Sequence, residues 1–152
     1  MSQLLVLGLL AVVGCGDGSA TGPRDPASLH TQLVVESAPA GMTEAVVVDS
    51  AFWNPAALLL TGDAAVLEVE GPFSILFRNV AEEPLEMRYD LRFLDVDGFL
   101  VDRFIPFGQP VLLAAGQPVL EEGIFVVRTT PDIGRFGLLT MQIAARLVRP
   151  EQ

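Results

Sequence analysis

Cys15 is the only cysteine in the chain and the residue whose chemical fate is easiest to predict. It follows an apolar run, residues 4–13, that is too short to cross a bilayer, because a helix of that length spans about 15 Å. The run matches the hydrophobic region of a secretion signal, typically about 7–15 residues. A thiol placed there is a nucleophile suited to thioether formation with lipid. We therefore expect lipidation of Cys15, and a buried structural cysteine is the alternative.

The residues before the cysteine, Val12-Val13-Gly14-Cys15, resemble the bacterial lipobox, in which an acylated cysteine becomes the new N-terminus. The first residues, Met1-Ser2-Gln3, depart from the usual signal because they lack Lys or Arg. Residues 15–31 are dense in Gly, Pro, Ser and Asp, which is typical of a flexible linker. We expect a signal peptide over 1–14, a lipidated linker over 15–31 and a folded domain over 32–150. The predicted location is the bacterial cell envelope, facing the periplasm, with the outer membrane favoured over the inner.

Residues that could support catalysis or bind metal are sparse. The only histidine, His30, falls in the predicted linker, so no Ser-His-Asp, Cys-His or zinc site is expected in the folded part. Asp95-Val96-Asp97-Gly98 invites comparison with a calcium loop, which requires glycine at its sixth position and a bidentate Glu at its twelfth. Those positions hold Leu100 and Pro106, so a hairpin turn is predicted instead. We expect no metal, no cofactor and no enzymatic activity.

Two alternative functions stay open. A pair of carboxylates could hydrolyse glycans, although Glu82-Glu83 and Glu121-Glu122 are simpler to explain as solvated turn charges. A small-ligand or carbohydrate-binding module would need exposed aromatic rings on one sheet. The candidates for such a face are Phe52, Trp53, Phe104 and Phe107.

The charge balance narrows the class of partner. Nine basic residues, all of them arginine, stand against nineteen acidic ones, which gives a formal net charge of −10. This balance argues against nucleic acid and against polybasic attachment to anionic lipid. Lipid on Cys15 would then supply the membrane contact, and another envelope protein is the expected macromolecular partner.

The elements that would position these residues are short strands. Leu85 to Phe93 alternate apolar and charged side chains with a period of two, which predicts a strand with one buried face. Asp95 to Gly98 then predict a hairpin turn into 99–104. Gly71-Pro72 is predicted to be a hairpin turn or an edge bulge between two strands. Shorter runs elsewhere complete an all-β chain, an antiparallel immunoglobulin-like β-sandwich of about seven to nine strands.

The middle of the chain is similar to the YcfL family of small periplasmic lipoproteins. The similarity is carried by Val46-Val47-Val48-Asp49-Ser50, Phe77-Arg78-Asn79 and the segment Tyr89 to Gly98. Asn79, Tyr89, Asp95 and Gly98 match the family pattern, whereas Asp90, Leu91, Phe93 and Leu94 replace its Arg, Phe, Trp and Phe. Other sandwich families, such as the FxLYD type, are the alternative. The resemblance implies a lipoprotein signal and a sandwich fold with no established activity.

The four matching residues have physical roles of their own. Asn79 can bond its own backbone where a strand ends, and Gly98 suits the positive φ of a turn. Tyr89 is expected to place its ring in the core with its hydroxyl at the rim, and Asp95 to cap the hairpin. The chain is therefore expected to be a lipid-tethered sandwich that binds another envelope protein or supports envelope machinery.

Overall fold

The fold is given by a computed structural model that describes residues 29–55, 57–60, 67–95, 97–108, 110–129 and 140–150. The predicted signal peptide, Cys15 and most of the predicted linker lie outside these residues. Nine strands run through the described part: β1 (His30–Ser37), β2 (Val46–Trp53), β3 (Ala57–Leu60), β4 (Leu67–Asn79), β5 (Leu85–Leu94), β6 (Leu100–Phe104), β7 (Val111–Leu113), β8 (Pro118–Thr129) and β9 (Thr140–Val148). The first strand begins just before position 32, so His30 lies at its start.

The strands form two sheets that pack as a sandwich, which confirms the predicted fold class. The five-stranded sheet has the order β1-β9-β5-β6, with β7 also paired to β5. The four-stranded sheet has the order β2-β4-β3, with β8 on the other side of β4. Every pairing is antiparallel except that of β1 with β9, which is parallel. No helix within the described residues is long and apolar enough to cross a membrane.

The core lies between the inward faces of the two sheets. The period of two in β5 is observed directly, because Met87, Leu91 and Phe93 point inward and are fully buried. Trp53, Phe93 and Phe125 meet at its centre, with ring centroids 4.5 to 6.2 Å apart in tilted or edge-to-face arrangements. Such pairs add about 0.5–1.5 kcal/mol each beyond the area they bury. This core fixes the register of both sheets and so determines which residues face outward.

Gly71 and Pro72 do not form the predicted turn. They lie inside β4, a strand of 13 residues that is central in its sheet. Proline cannot donate a backbone hydrogen bond, and it is tolerated because position 72 faces the gap where β2 has ended and β3 has not begun. The Pro72 carbonyl accepts from the Asn54 N–H in this gap (3.1 Å). Gly71 is required because a Cβ there would lie 1.7 Å from the Asn54 carbonyl oxygen. The dipeptide marks a break in the neighbouring strand rather than in its own.

Candidate functional site

The outward face of the four-stranded sheet carries exposed apolar side chains on three adjacent strands. On β8 the residues that alternate with buried Phe125 and Val127 point outward, and Ile124 is 64% exposed. Phe52 on β2 is 54% exposed on the same face. The group is called the apolar strip here and consists of Phe52, Pro72, Leu76, Leu120, Ile124 and Val126.

Strand register makes the strip continuous. Leu76 lies opposite Leu120, and Pro72 lies opposite Ile124, in the β4–β8 pairing. Phe52 lies opposite Ser74, one diagonal step from Pro72. Directly opposed side chains in an antiparallel pair have Cβ atoms about 4.5–5.5 Å apart, and diagonal neighbours are about 7–8 Å apart. The apolar side chains therefore adjoin one another across the face.

Charged residues surround the strip, and the acids exceed the bases. The two arginines of this face are paired: Arg128 with Glu68 (2.9 Å between Nε and Oε1) and Arg78 with Asp49. Glu70 and Glu122 also point outward, and neither has a cationic partner among the described residues. The face is thus apolar at its centre and net negative at its rim.

A cleft of about 170 Å³ is lined mainly by β5 and the segment from Ile105 to Val111, and Glu121 is its one residue from β8. Tyr89 donates its hydroxyl hydrogen to Glu121 Oε2 (3.2 Å) in this cleft. Burial, and then the charge of Glu121, raise the pKa of the Tyr89 hydroxyl well above its ordinary value. Ile105 and Phe107 of the β6–β7 connection also line the cleft, and Phe107 is 99% exposed. Arg88 and Arg146 line the cleft as well, so an apolar wall, one carboxylate and two guanidinium groups meet there.

The outward face of the five-stranded sheet is built differently. Asp90 on β5 is 1% exposed, although it faces outward, because two arginines cover it. Arg92 Nε lies 2.9 Å from Asp90 Oδ2, and Arg146 Nη1 lies 3.1 Å from Asp90 Oδ1. The same arginines bind Glu36 of β1 at 2.6 and 3.1 Å. Hydrogen bonding to Glu36 raises the pKa of Arg92 further above its usual value. We call these four residues the charged network.

Of the four residues that match the family pattern, Asn79 ends β4 and Tyr89 lies in the middle of β5. Asp95 and Gly98 lie in the turn between β5 and β6. Asn79 is fully buried; its Oδ1 accepts from the Ala81 N–H (2.9 Å) and its Nδ2 donates to the carbonyls of Glu83 and Leu113 (2.7 and 2.9 Å). Tyr89 packs its ring against Phe77, with centroids 5.3 Å apart. All these contacts join neighbouring segments of the chain to one another.

The β5–β6 hairpin contains Asp95 and Gly98, the other two residues that match the family pattern. Asp95 Oδ1 accepts from the Asp97 and Phe99 N–H groups, both at 2.9 Å, and Gly98 has a φ of 81°. The Asp95 carboxylate therefore accepts hydrogen bonds from the backbone of its own turn. No group of three or more His, Cys, Asp or Glu side chains in the described ranges could hold a metal ion. Cys15 lies outside those ranges.

The four aromatic candidates for a ligand face do not come together. Trp53 is buried in the core, and Phe104 packs on Phe73 with ring centroids 6.1 Å apart. Phe52 lies on the four-stranded sheet and Phe107 in the β6–β7 connection. Asp90 is the only buried carboxylate in the described part of the chain, and it is neutralised by arginines. The structure therefore does not assemble the aromatic platform, nor does it bring two buried carboxylates together in a cleft.

Sequence reasoning missed the apolar strip. The segment 118–129 contains apolar residues at both odd and even positions, which indicates a strand with two apolar faces. Each strand of a sandwich has only one face that points into the core, so the second apolar face of β8 must point to solvent or to a partner. The apolar residues on both faces are visible in the run Leu120 to Val127. The sequence does not show whether the odd-numbered or the even-numbered residues of this run face inward.

No family model matches the sequence, and no curated protein matches it. Among solved structures, the chain is similar to Campylobacter jejuni cj0090 at 14% identity and a TM-score of 0.38, over 77% of this chain and 98% of that one. A structural-genomics target, SoR45 of the Northeast Structural Genomics Consortium, is 7% identical with a TM-score of 0.45, over 73% and 87% of the two chains. A β-glucuronidase of glycoside hydrolase family 2 is 13% identical with a TM-score of 0.32, over 60% of this chain and 8% of that one. Likeness at this level says nothing about activity.

Proposed function

We propose that this protein is a lipid-tethered binding module of the bacterial envelope that holds another protein on the outward face of its four-stranded sheet. The observation that carries the proposal is the apolar strip, with Phe52 and Ile124 more than half exposed at its ends. Contiguous exposed apolar surface with a polar rim is a feature of protein–protein interaction sites. In this proposal the domain binds and does not catalyse a reaction.

The proposed tether rests on the sequence. The apolar run ending at Cys15 and the following linker support lipidation, and the resemblance to the YcfL lipoproteins supports a periplasmic location. Palmitate labelling of the wild-type protein, lost in Cys15→Ser, tests this part of the proposal. Equal labelling of the two proteins would overturn lipidation without bearing on the binding face.

The binding face is tested by photo-crosslinking in intact cells. We expect benzoylphenylalanine at position 124 to give a discrete crosslinked product, because Ile124 is 64% exposed and lies between Leu120 and Val126 on β8. The matched control is the same group at position 32, since Gln32 is exposed on the outward face of the other sheet, opposite Gln142, and does not line the cleft. The product should disappear when Val126→Asp places a charge beside the probe. Equal products from positions 124 and 32 would overturn the proposed face.

A further inference from the structure

The backbone of β8 has an unpaired edge with a defined side-chain pattern. Among the described strands, β8 pairs with β4 alone. The Arg128 N–H donates to Asp102 Oδ2 (2.7 Å), so the backbone groups of Arg128 point away from β4. Residues two apart in a strand direct their N–H and C=O groups to the same side, and the β4–β8 register is unbroken. The N–H and C=O groups of Leu120, Glu122, Ile124 and Val126 therefore face the free edge.

The same four residues supply outward side chains. Leu120, Ile124 and Val126 belong to the apolar strip, and Glu122 lies between them. A strand added at this edge would be bonded to the backbone of these residues and would extend the outward face that they form. Asp102 limits the length of the added strand, because its carboxylate already accepts the hydrogen bond of the Arg128 backbone N–H.

The other sheet edges are poorer templates. At the five-stranded sheet, β6 has 5 residues and β7 has 3, and β1 is interrupted by a register shift between Val35 and Ser37. At the four-stranded sheet, β3 has 4 residues and β2 is shifted between Val48 and Ser50. Short and bulged edges resist strand addition, whereas a long regular apolar edge invites it. With 12 residues and a continuous register, β8 is the long regular edge.

The cleft beside Glu121 lies where inward side chains of an added strand would point. Successive side chains of a strand alternate between the two faces, so every second residue of the partner would face this cleft. Its volume is about 170 Å³, and a cavity of about 150 Å³ holds a benzene-sized group. The cleft therefore has room for one apolar side chain, packed against Ile105 and Phe107.

Charge decides the chemistry of the partner. Glu122 and Glu70 lack cationic partners on the outward face, and the whole chain carries −10. A second copy, paired antiparallel through β8 and centred on Glu122, would oppose two like carboxylates, which is destabilising. A segment with Lys or Arg among its outward side chains would instead neutralise the negative charge at Glu122.

We propose that β8 accepts an additional strand from a partner protein, an extended segment in which apolar and basic side chains alternate. The partner's backbone bonds to Leu120, Glu122 and Ile124, a basic side chain meets Glu122, and one apolar side chain enters the cleft. Glu70 lies one strand further in, opposite Val126, and adds to the negative charge of this face. This recognition mode combines main-chain hydrogen bonds with pockets for alternate side chains. It rests on the proposed function and specifies how the partner is held.

The test uses the full-length chain and two synthetic peptides, one alternating valine with lysine and one alternating valine with glutamate. The lysine peptide should bind at least about tenfold more tightly in a fluorescence anisotropy titration. Binding should slow amide exchange at Leu120, Glu122 and Ile124, while the amides between them, already paired with β4, should change little. Equal binding of the two peptides, or slowed exchange on β1 instead of β8, would overturn the proposal.

The paired variants Glu122→Pro and Glu122→Thr isolate the backbone contribution. Both lose the carboxylate, but only proline removes the N–H that faces the free edge, and it breaks no bond to β4. We expect Glu122→Pro to bind the lysine peptide at least about tenfold more weakly than Glu122→Thr, at a similar Tm. Equal affinities would overturn strand addition.

A second measurement covers the case in which Glu122→Pro does not fold. A lysine peptide methylated on alternate backbone nitrogens, in both registers, should lose binding in the register that faces β8. Unchanged binding in both registers would overturn strand addition. If the crosslinks from position 124 form in cells but are equal in Glu122→Pro and Glu122→Thr, this inference fails while the proposed function stands. If no crosslink forms at position 124, the proposed function itself fails.

Discussion

On the outward face of the five-stranded sheet a carboxylate, Asp90, is buried, whereas on the outward face of the four-stranded sheet Ile124 is 64% exposed. Each residue occupies the middle of a long strand, and each breaks the simple rule that polar side chains face water and apolar ones avoid it. The first case is compensated within the chain, because Arg92 and Arg146 supply the opposite charge at 2.9 and 3.1 Å. The second has no compensation within the described residues.

The difference shows what each face contributes. The charged network joins β1, β5 and β9, so it holds the first strand, the one next to the predicted tether, against its sheet. The apolar strip joins nothing in the described part of the chain, and in the proposed function a partner covers it. In that proposal one face serves stability and the other serves binding. Four measurements test that division.

Among substitutions on the two outward faces, Asp90→Ala is expected to have the largest effect. Removing this buried carboxylate leaves Arg146 and Arg92 without one acceptor each, and hydrogen bonds to charged groups contribute about 1.5–3 kcal/mol. Because both arginines keep Glu36 and are partly exposed, we expect the free energy of unfolding to fall by about 2 kcal/mol in urea titrations. The control is Glu70→Ala on the other face, for which a change within about 0.5 kcal/mol is expected. Equal losses would show that both faces serve stability.

The hydrogen bond from Tyr89 to Glu121 joins the two sheets. Its contribution to stability can be compared with that of the charged network on one outward face. Tyr89 is the only tyrosine, so its phenolate absorbance reports a single group. Its folded pKa is raised while the unfolded value is about 10, so the unfolded chain loses this proton first and stability falls as pH rises above about 10. At pH 11 we expect a loss of about 1.4 kcal/mol relative to Tyr89→Phe, whose stability should not show this dependence.

The Glu121→Gln variant separates the causes of that shift. Burial is the largest cause and persists in the variant, so the pKa of Tyr89 should fall only part of the way toward its ordinary value. Ionisation of native Tyr89 near its ordinary pKa in the wild-type protein would contradict the buried hydrogen bond to Glu121. The same result in Glu121→Gln alone would show that Glu121, and not burial, is the main cause of the raised pKa.

The sequence predicted most clearly the features that follow from local periodicity. The alternation from Leu85 to Phe93 correctly placed β5 and its inward face, and Asp95 to Gly98 correctly placed the hairpin. The burial of Asp90 was not predictable, because it depends on Arg146 from β9 and Glu36 from β1, which are distant in sequence.

Pairing partners explain the remaining differences. Gly71-Pro72 has the composition of a turn, but its proline faces a gap between β2 and β3 that only the sheet topology creates. The parallel pairing of β1 with β9 is likewise set by tertiary structure. The apolar strip has the same origin: its residues come from β2, β4 and β8, and only the register of those strands brings them together.

A smaller effect is expected from Glu36→Gln, which weakens the charged network at its exposed end. The carboxylate binds Arg92 and Arg146 but is about one-third exposed, so we expect the free energy of unfolding to fall by about 0.5–1 kcal/mol. Amide exchange should accelerate in β1, because Glu36 is its ionic link to the sheet. Thr31→Ala, an exposed change on the same strand, is the control. Unchanged exchange in β1 would show that parallel pairing with β9 alone holds this strand.

The smallest effect on stability is expected from Ile124→Ser on the apolar strip. Because most of its side chain is already in solvent, its loss removes little buried surface, and we expect the free energy of unfolding to change by no more than about 0.5 kcal/mol. The matched control is the next residue, Phe125→Ala, which empties the core and should cost about 3–5 kcal/mol. Binding of a hydrophobic dye such as ANS should fall in Ile124→Ser, because the strip is the surface it would occupy. If Ile124→Ser instead destabilises the protein as much as Phe125→Ala, Ile124 packs against a part of its own chain, and the contrast between the two faces disappears.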